Sequence, residues 1–280
     1  MKKIIAAAVA TAFVAPAFAA DVSVNGLVEY AFEDNNGTTS TGFGDNAIYV
    51  SASTETANGL SVSADINITG AGEDDGSDSL TIGGPFGTLD LGDTSSATDK
   101  FDDRTDKDVM VGGVGVGGQD AGASWTLPSF VNGLTTYVSY GADANEDGVA
   151  HTGIGFEYGA GPVEVAYAQN QADEDANDQT YVGATFSFAG VAISYDRMDT
   201  GADDADTTET AIGATYSVND LTFAVTSTEE EDNAGTVTSD VMFYGVKYSL
   251  GGGVTAFAEM YSDDVDTDDE ATAVGVAFEF

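Results

Sequence analysis

The side chains able to do chemistry in this chain are nearly all carboxylates. Asp and Glu number 48, against seven Lys and Arg, one His and no Cys. With so many acids, two neighbouring carboxylates carry no information by themselves. The single His151 has no base-partner set around a Ser, so a Ser-His-Asp triad has no support. Asp143-x-Asn145-x-Asp147-Gly148 matches the start of a calcium loop, but position twelve is Ile154, where a bidentate Glu is required, and no helix pattern flanks it. The run Gly112-Gly113-x-Gly115-x-Gly117-Gly118 precedes a strand pattern and no Lys follows, so it is not a phosphate loop. No resident cofactor or metal is expected. The only candidates for weak Ca2+ or Mg2+ binding are acidic loops such as Asp173-Glu174-Asp175 and Asp263-Asp264.

Charge of both signs is concentrated in one place, Gly92–Gly118. That stretch is the longest without a strand pattern. It holds Lys100, Arg104 and Lys107 among Asp93, Asp99, Asp102, Asp103, Asp106 and Asp108. Its glycine-rich end suits a chain that turns back along a wall. What such a segment could do is electrostatic, provided that a scaffold holds it in the path of a solute.

The scaffold must be found in the remaining chain. Lys2 and Lys3 precede an apolar run from Ile4 to Ala15, then Ala17-Phe18-Ala19. This is a basic region, a short apolar core and a small-x-small site, which predicts a signal peptide over 1–19 and a mature domain over 20–280. Losing Lys2 and Lys3 takes the formal charge from −41 to −43. Nucleic-acid partners are excluded, because they need clustered cations. Without Cys there is no disulfide framework for an oxidising compartment. Aromatic residues make up 10% of the chain and the β periodicity is regular, so disorder is not expected despite the charge. No other segment is apolar enough to span a bilayer as a helix, which leaves a closed barrel as the one membrane-spanning option.

Seven short turns punctuate the chain: Asn58-Gly59, Pro85-Phe86-Gly87, Asn132-Gly133, Gly159-Ala160-Gly161, Ala189-Gly190, Asn219-Asp220 and Gly251-Gly252-Gly253. Such residues accept the positive φ of tight hairpins. Eight longer, mostly acidic connections alternate with them, around 34–45, 70–77, 92–118, 142–149, 170–178, 199–208, 228–239 and 262–270. The alternation predicts sixteen antiparallel strands, with short turns at one end and long loops at the other, enclosing an aqueous channel.

The strand patterns have period two. Leu60, Val62, Ala64, Ile66 and Ile68 oppose Ser61, Ser63, Asp65, Asn67 and Thr69; Thr272 to Phe280 alternate in the same way. In a wide barrel the apolar face meets lipid and the polar face lines water. The polar parity collects Glu29, Glu33, Glu55, Asp65, Asp90, Glu157, Glu164, Glu259 and Glu279, with Lys247 the only wall cation. Arg197 shares parity with Ile193 and Tyr195 and belongs to the rim above the membrane. Tyr30, Phe32, Tyr140, Tyr158, Phe188, Tyr216, Tyr248, Phe278 and Phe280 sit near strand ends, as interfacial girdles do.

In layout the mature chain resembles the trimeric Gram-negative outer-membrane porins of the alphaproteobacterial type. The specific matches are Gly84-Pro85-Phe86-Gly87-Thr88-Leu89-Asp90-Leu91-Gly92, which is similar to the family's hairpin before the third loop, and the alternating strand that ends on Phe280. The resemblance implies an all-β, sixteen-stranded transmembrane barrel with the third loop, about 92–118, folded into the lumen. It implies a homotrimer in contact with outer-membrane lipid and lipopolysaccharide, with Phe280 read by the barrel assembly machinery. The loop aspartates would form the eyelet. Family eyelets set loop acids against wall arginines; here the wall offers only Lys247 and the loop carries its own cations. The expected function is a cation-preferring channel for passive diffusion of small hydrophilic solutes, without enzymatic activity. A substrate-specific channel is the alternative within that class, and a secreted acidic divalent-cation-binding β protein or adhesin is the alternative outside it.

Overall fold

The structure, a computed structural model, describes residues 20–69, 78–102, 104–105, 120–141, 150–172, 178–201, 206–265 and 270–280. The leader over 1–19 and the acidic runs at 143–147 and 173–175 lie outside them. So do Asp103, Asp106, Lys107 and Asp108.

Sixteen strands pair antiparallel in chain order and β16 returns to β1, closing the barrel. They are β1 (Asp21–Asn35), β2 (Thr38–Glu55), β3 (Ser61–Thr69), β4 (Ser79–Gly84), β5 (Gly87–Ser95), β6 (Asp120–Thr126), β7 (Leu134–Gly141), β8 (His151–Ala160), β9 (Val163–Ala172), β10 (Gln179–Phe188), β11 (Val191–Thr200), β12 (Thr207–Val218), β13 (Leu221–Asp232), β14 (Val237–Gly251), β15 (Val254–Asp263) and β16 (Glu270–Glu279). One helical turn, α1 (Asp99–Asp102), follows β5. Among the described residues no helix is long and apolar enough to cross a membrane. Crossing falls to the strands, and the ten residues of β8, β9, β10 and β11 match the length a tilted strand needs.

The short turns lie where the glycine and asparagine signals put them. Ala189 and Gly190 both hold positive φ, 51° and 83°, the geometry of a two-residue hairpin turn. Two connections are shorter than the sequence suggests. Between β1 and β2 only Asn36 and Gly37 intervene, and Asp34 accepts a hydrogen bond from the Gly37 N–H at 2.9 Å. Between β13 and β14 only 233–236 intervene, held by Asp232, which accepts from the N–H groups of Ala234 and Thr236.

Large apolar side chains share one parity on each strand and are exposed: Val28, Tyr30 and Phe32 on β1; Ile154, Phe156 and Tyr158 on β8; Val274, Val276 and Phe278 on β16. All nine end-of-strand aromatics are among the exposed ones. A molecule with its large apolar residues outside and its buried polar groups inside is built for a lipid surround.

Candidate functional site: a loop on the inner wall

After β5 the chain leaves the wall. Residues Ser96–Asp102, with Arg104 and Thr105, run across the inner faces of β7 to β13. Every wall residue they touch has the parity opposite to the exposed apolar residues, so the segment lies inside the barrel.

Its docking rests on three positions spaced by four. Ala97, Phe101 and Thr105 lie over Gly153, Gly155 and Gly213, and a Cβ on any of these glycines would crowd them; at Gly155 it would overlap the Phe101 ring. Phe101 is 3% exposed and packs edge-on against Tyr137, with ring centroids 6.1 Å apart. Polar groups complete the track. The Ala97 N–H donates to Ser139 Oγ at 2.9 Å, and the Tyr137 hydroxyl donates to the Ser95 carbonyl at 2.7 Å. Thr98 donates to Gln179 at 2.8 Å, and Asn170 Nδ2 reaches both Ser96 Oγ and Thr98 Oγ1. At the far end the Thr105 N–H donates to Asp196 Oδ2 at 2.5 Å, and its carbonyl accepts from Thr226 Oγ1 at 2.9 Å. Asp196 is fully buried and also accepts from the Tyr181 hydroxyl. Most buried polar groups along the track thus find partners, as a dry contact requires; Arg104 Nε, Thr105 Oγ1 and Asn170 Oδ1 are buried without one.

The expected charged residues sort into distinct environments. Arg104 is buried; its Nη1 donates to the Phe101 carbonyl at 3.1 Å, and its Nη2 meets Glu157 at 2.5 Å and Glu164 at 3.2 Å. Lys100 is exposed, with Nζ 5.9 Å from the Tyr137 ring centroid. Asp93 is exposed, Asp99 half-buried and Asp102 buried. On the wall, Glu29, Glu33, Glu55, Asp65, Asp90, Glu157, Glu164, Lys247, Glu259 and Glu279 all occupy the inward parity fixed by the ladder. They do not form one ring. Glu55 and Glu279 stand at the short-turn end, and Asp90 accepts from Thr81 on the next strand. Among the described residues the structure brings together one mixed group, Arg104 with Glu157 and Glu164. Arg197 pairs instead with Asp199 on the outward parity, at 2.7 Å.

Asp196 is a wall carboxylate that the sequence reading omits, although the outward parity of Arg197 already places its neighbour inside. The docking glycines carry no sequence signal that separates them from turn glycines. Among the described residues no three His, Asp or Glu groups converge to hold a metal ion. Asp263 of the Asp263-Asp264 pair accepts from Ser239 Oγ and from the N–H groups of Asp240 and Val265.

A closed antiparallel barrel with an apolar exterior, a polar interior and an inserted loop defines a transmembrane channel of the outer-membrane type. A model of the Gram-negative porin family matches residues 6–268, and the chain belongs to that family. It is a channel of the outer membrane of a Gram-negative bacterium and not an enzyme. Among solved structures, a porin refined at 1.8 Å shares 16% identity, over 93% of this chain and 100% of its own, with a TM-score of 0.76. An anion-selective porin from Comamonas acidovorans shares 17% over the same fractions, with a TM-score of 0.73. The trimer form of OmpT from Vibrio cholerae shares 13%, over 94% and 100%, with a TM-score of 0.72. No curated protein sequence matches the chain.

Proposed function

We propose that the channel passes small hydrophilic solutes by passive diffusion and prefers cations. The observation that carries this reading is the unequal exposure of charge around Arg104. Its side chain is 7% exposed, whereas the Glu157 and Glu164 side chains are 26% and 46% exposed. One guanidinium and two carboxylates leave a net negative charge, and the negative part is what water and solute meet. Carboxylate-lined pores raise the local cation concentration and repel anions. The fold does not set the sign, since the Comamonas porin with a similar barrel is anion-selective. In a water-filled pore these fields are screened within about 8 Å at physiological ionic strength and about 3 Å at 1 M. The preference should therefore be strong in dilute salt and fade in concentrated salt. Reversal potentials across a KCl gradient decide the sign; anion selectivity at low salt would overturn the reading.

The same reading includes a homotrimer and a leader cleaved after Ala19. Small outward residues Ala256 and Ala258 on β15 would let barrel walls approach. Gly26, also outward, is covered by the Phe280 ring and does not offer such a surface. Crosslinking of detergent-extracted protein should give a three-subunit species, and N-terminal sequencing should begin at Ala20.

A further inference from the structure

Two apolar clusters lie on the inner wall. One, with Tyr137, Tyr181 and Met198, packs against Ala97 and Phe101 of the loop. The other lies in the sector from β14 to β1, which the described part of the loop leaves uncovered. There Phe243, Phe257, Ala273 and Ala31 form a buried cluster, with half-buried Tyr261 packed against it. Within the sector lies a pocket of about 160 Å³ whose lining includes Glu33, Phe243, Glu259, Tyr261 and Ala273. The ladder explains its shape. Ala273 is paired with Glu33 on one side and with Glu259 on the other. A methyl group therefore forms the floor between two carboxylate-bearing residues whose Cα atoms stand about 10 Å apart, two strand spacings. No Lys or Arg is among the described residues that line it. Lys247 is paired with Phe257 and so stands on the Glu259 side of the pocket, whereas Glu33 lies two strands further on.

A cavity of roughly 150 Å³ accepts a benzene ring, so this one has room for a single six-membered ring. A hydrated metal ion gains nothing from a methyl floor and aromatic sides, because hard cations need converging oxygens. An ammonium on an apolar body gains from every part of it: ring contact with Phe243 and Tyr261, and a charge-assisted hydrogen bond to Glu33. We propose that this pocket is a lumenal subsite for small organic cations of ring size, the arylalkylamine class. The ring lies over Ala273 and the ammonium faces Glu33. The proposal stands on the channel itself and not on its overall cation preference.

Benzylammonium titrated against the purified protein in a planar bilayer at low salt tests it. Saturable block of the current is expected. Glu33→Gln should weaken the block about tenfold, the loss of one hydrogen bond to a charged group. Ala273→Leu, which fills the floor, should abolish it. Benzyl alcohol, which has the ring without the charge, should not block. Unchanged block in Glu33→Gln, or equal block by benzyl alcohol, would overturn the subsite, and Glu33→Gln decides alone should the leucine variant fail to fold. Reversal potentials in KCl, measured on the same preparations, report the general cation preference separately.

Discussion

The two sectors of the inner wall are built on different principles. Behind the loop, β7 to β13 present glycines, small polar groups and a buried apolar cluster with Tyr137, Tyr181 and Met198, and the wall is filled by Ala97, Phe101 and backbone from another part of the chain. From β14 to β1 the wall presents aromatic rings and alanines between carboxylates, and encloses a pocket instead. The difference teaches that this channel is specialised by sector and not by rings stacked along its axis. Loop position depends on one side; any preference for the body of a solute depends on the other.

The comparison breaks most completely when the docked segment is removed. Deleting Ser96–Thr105 should raise single-channel conductance more than any point variant and admit larger sugars, while heat-modifiable migration shows that the barrel still closes. Unchanged conductance would mean that the segment does not narrow the path. Next in size is Asp196→Ala. It strands the Thr105 N–H and the Tyr181 hydroxyl, each loss costing about 1–3 kcal/mol. Conductance should rise and become noisy, with partial rescue by Asp196→Asn, which keeps an acceptor. Gly155→Val should follow, since overpacking costs about 1–3 kcal/mol and the Phe101 ring must move. Benzylammonium block should survive it, which keeps the two sectors distinct.

Charge variants come next and leave conductance nearly unchanged. Arg104→Gln should shift the KCl reversal potential toward greater cation selectivity and Glu164→Gln toward less, whereas Lys247→Glu should change it little. Smallest of all is a pH effect at the β13–β14 hairpin. The backbone N–H of Thr236, and then that of Ala234, hold the Asp232 carboxyl below the usual carboxylate range. A carboxyl with a lowered folded-state value adds stability above its unfolded value and loses it as the pH falls through the folded one. The hairpin tip should therefore loosen only in acid, below the ordinary Asp midpoint, as read from its NMR titration. An ordinary midpoint would refute the capping role.

The barrel was legible in the sequence because lipid and water impose period two on every crossing. Asn58-Gly59 and Ala189-Gly190 mark turns by chemistry that few other conformations need. Legibility fails where that pressure lifts. The ladder register shifts between Val28 and Tyr30 against β2, so alternation breaks and the Asn36-Gly37 turn looks like part of a long loop. Glu229 to Asp232 are polar on both faces because that part of β13 needs no lipid-facing side, and it reads as loop although it is strand. The loop's charges were legible as types, but the pairing of Arg104 with Glu157 spans 53 residues and depends on a path that no local pattern encodes. The docking track was invisible for a simpler reason. What makes Gly153, Gly155 and Gly213 useful is the absence of a side chain.

The seam between β1 and β16 has a consequence for how the molecule comes to exist. Gly26 and Phe280 exchange backbone hydrogen bonds at 2.9 and 3.0 Å, and the Phe280 ring fills the space that a side chain at position 26 would occupy. These partners are about 250 residues apart, the most distant pairing among the described residues, and contacts of such separation form slowly. Until they meet, the sheet has two long free edges, each a template for pairing with any other strand. The kinetics of this protein should thus be governed by its last contact, and a bulky residue at position 26 should act as a delay before it acts as a weakness.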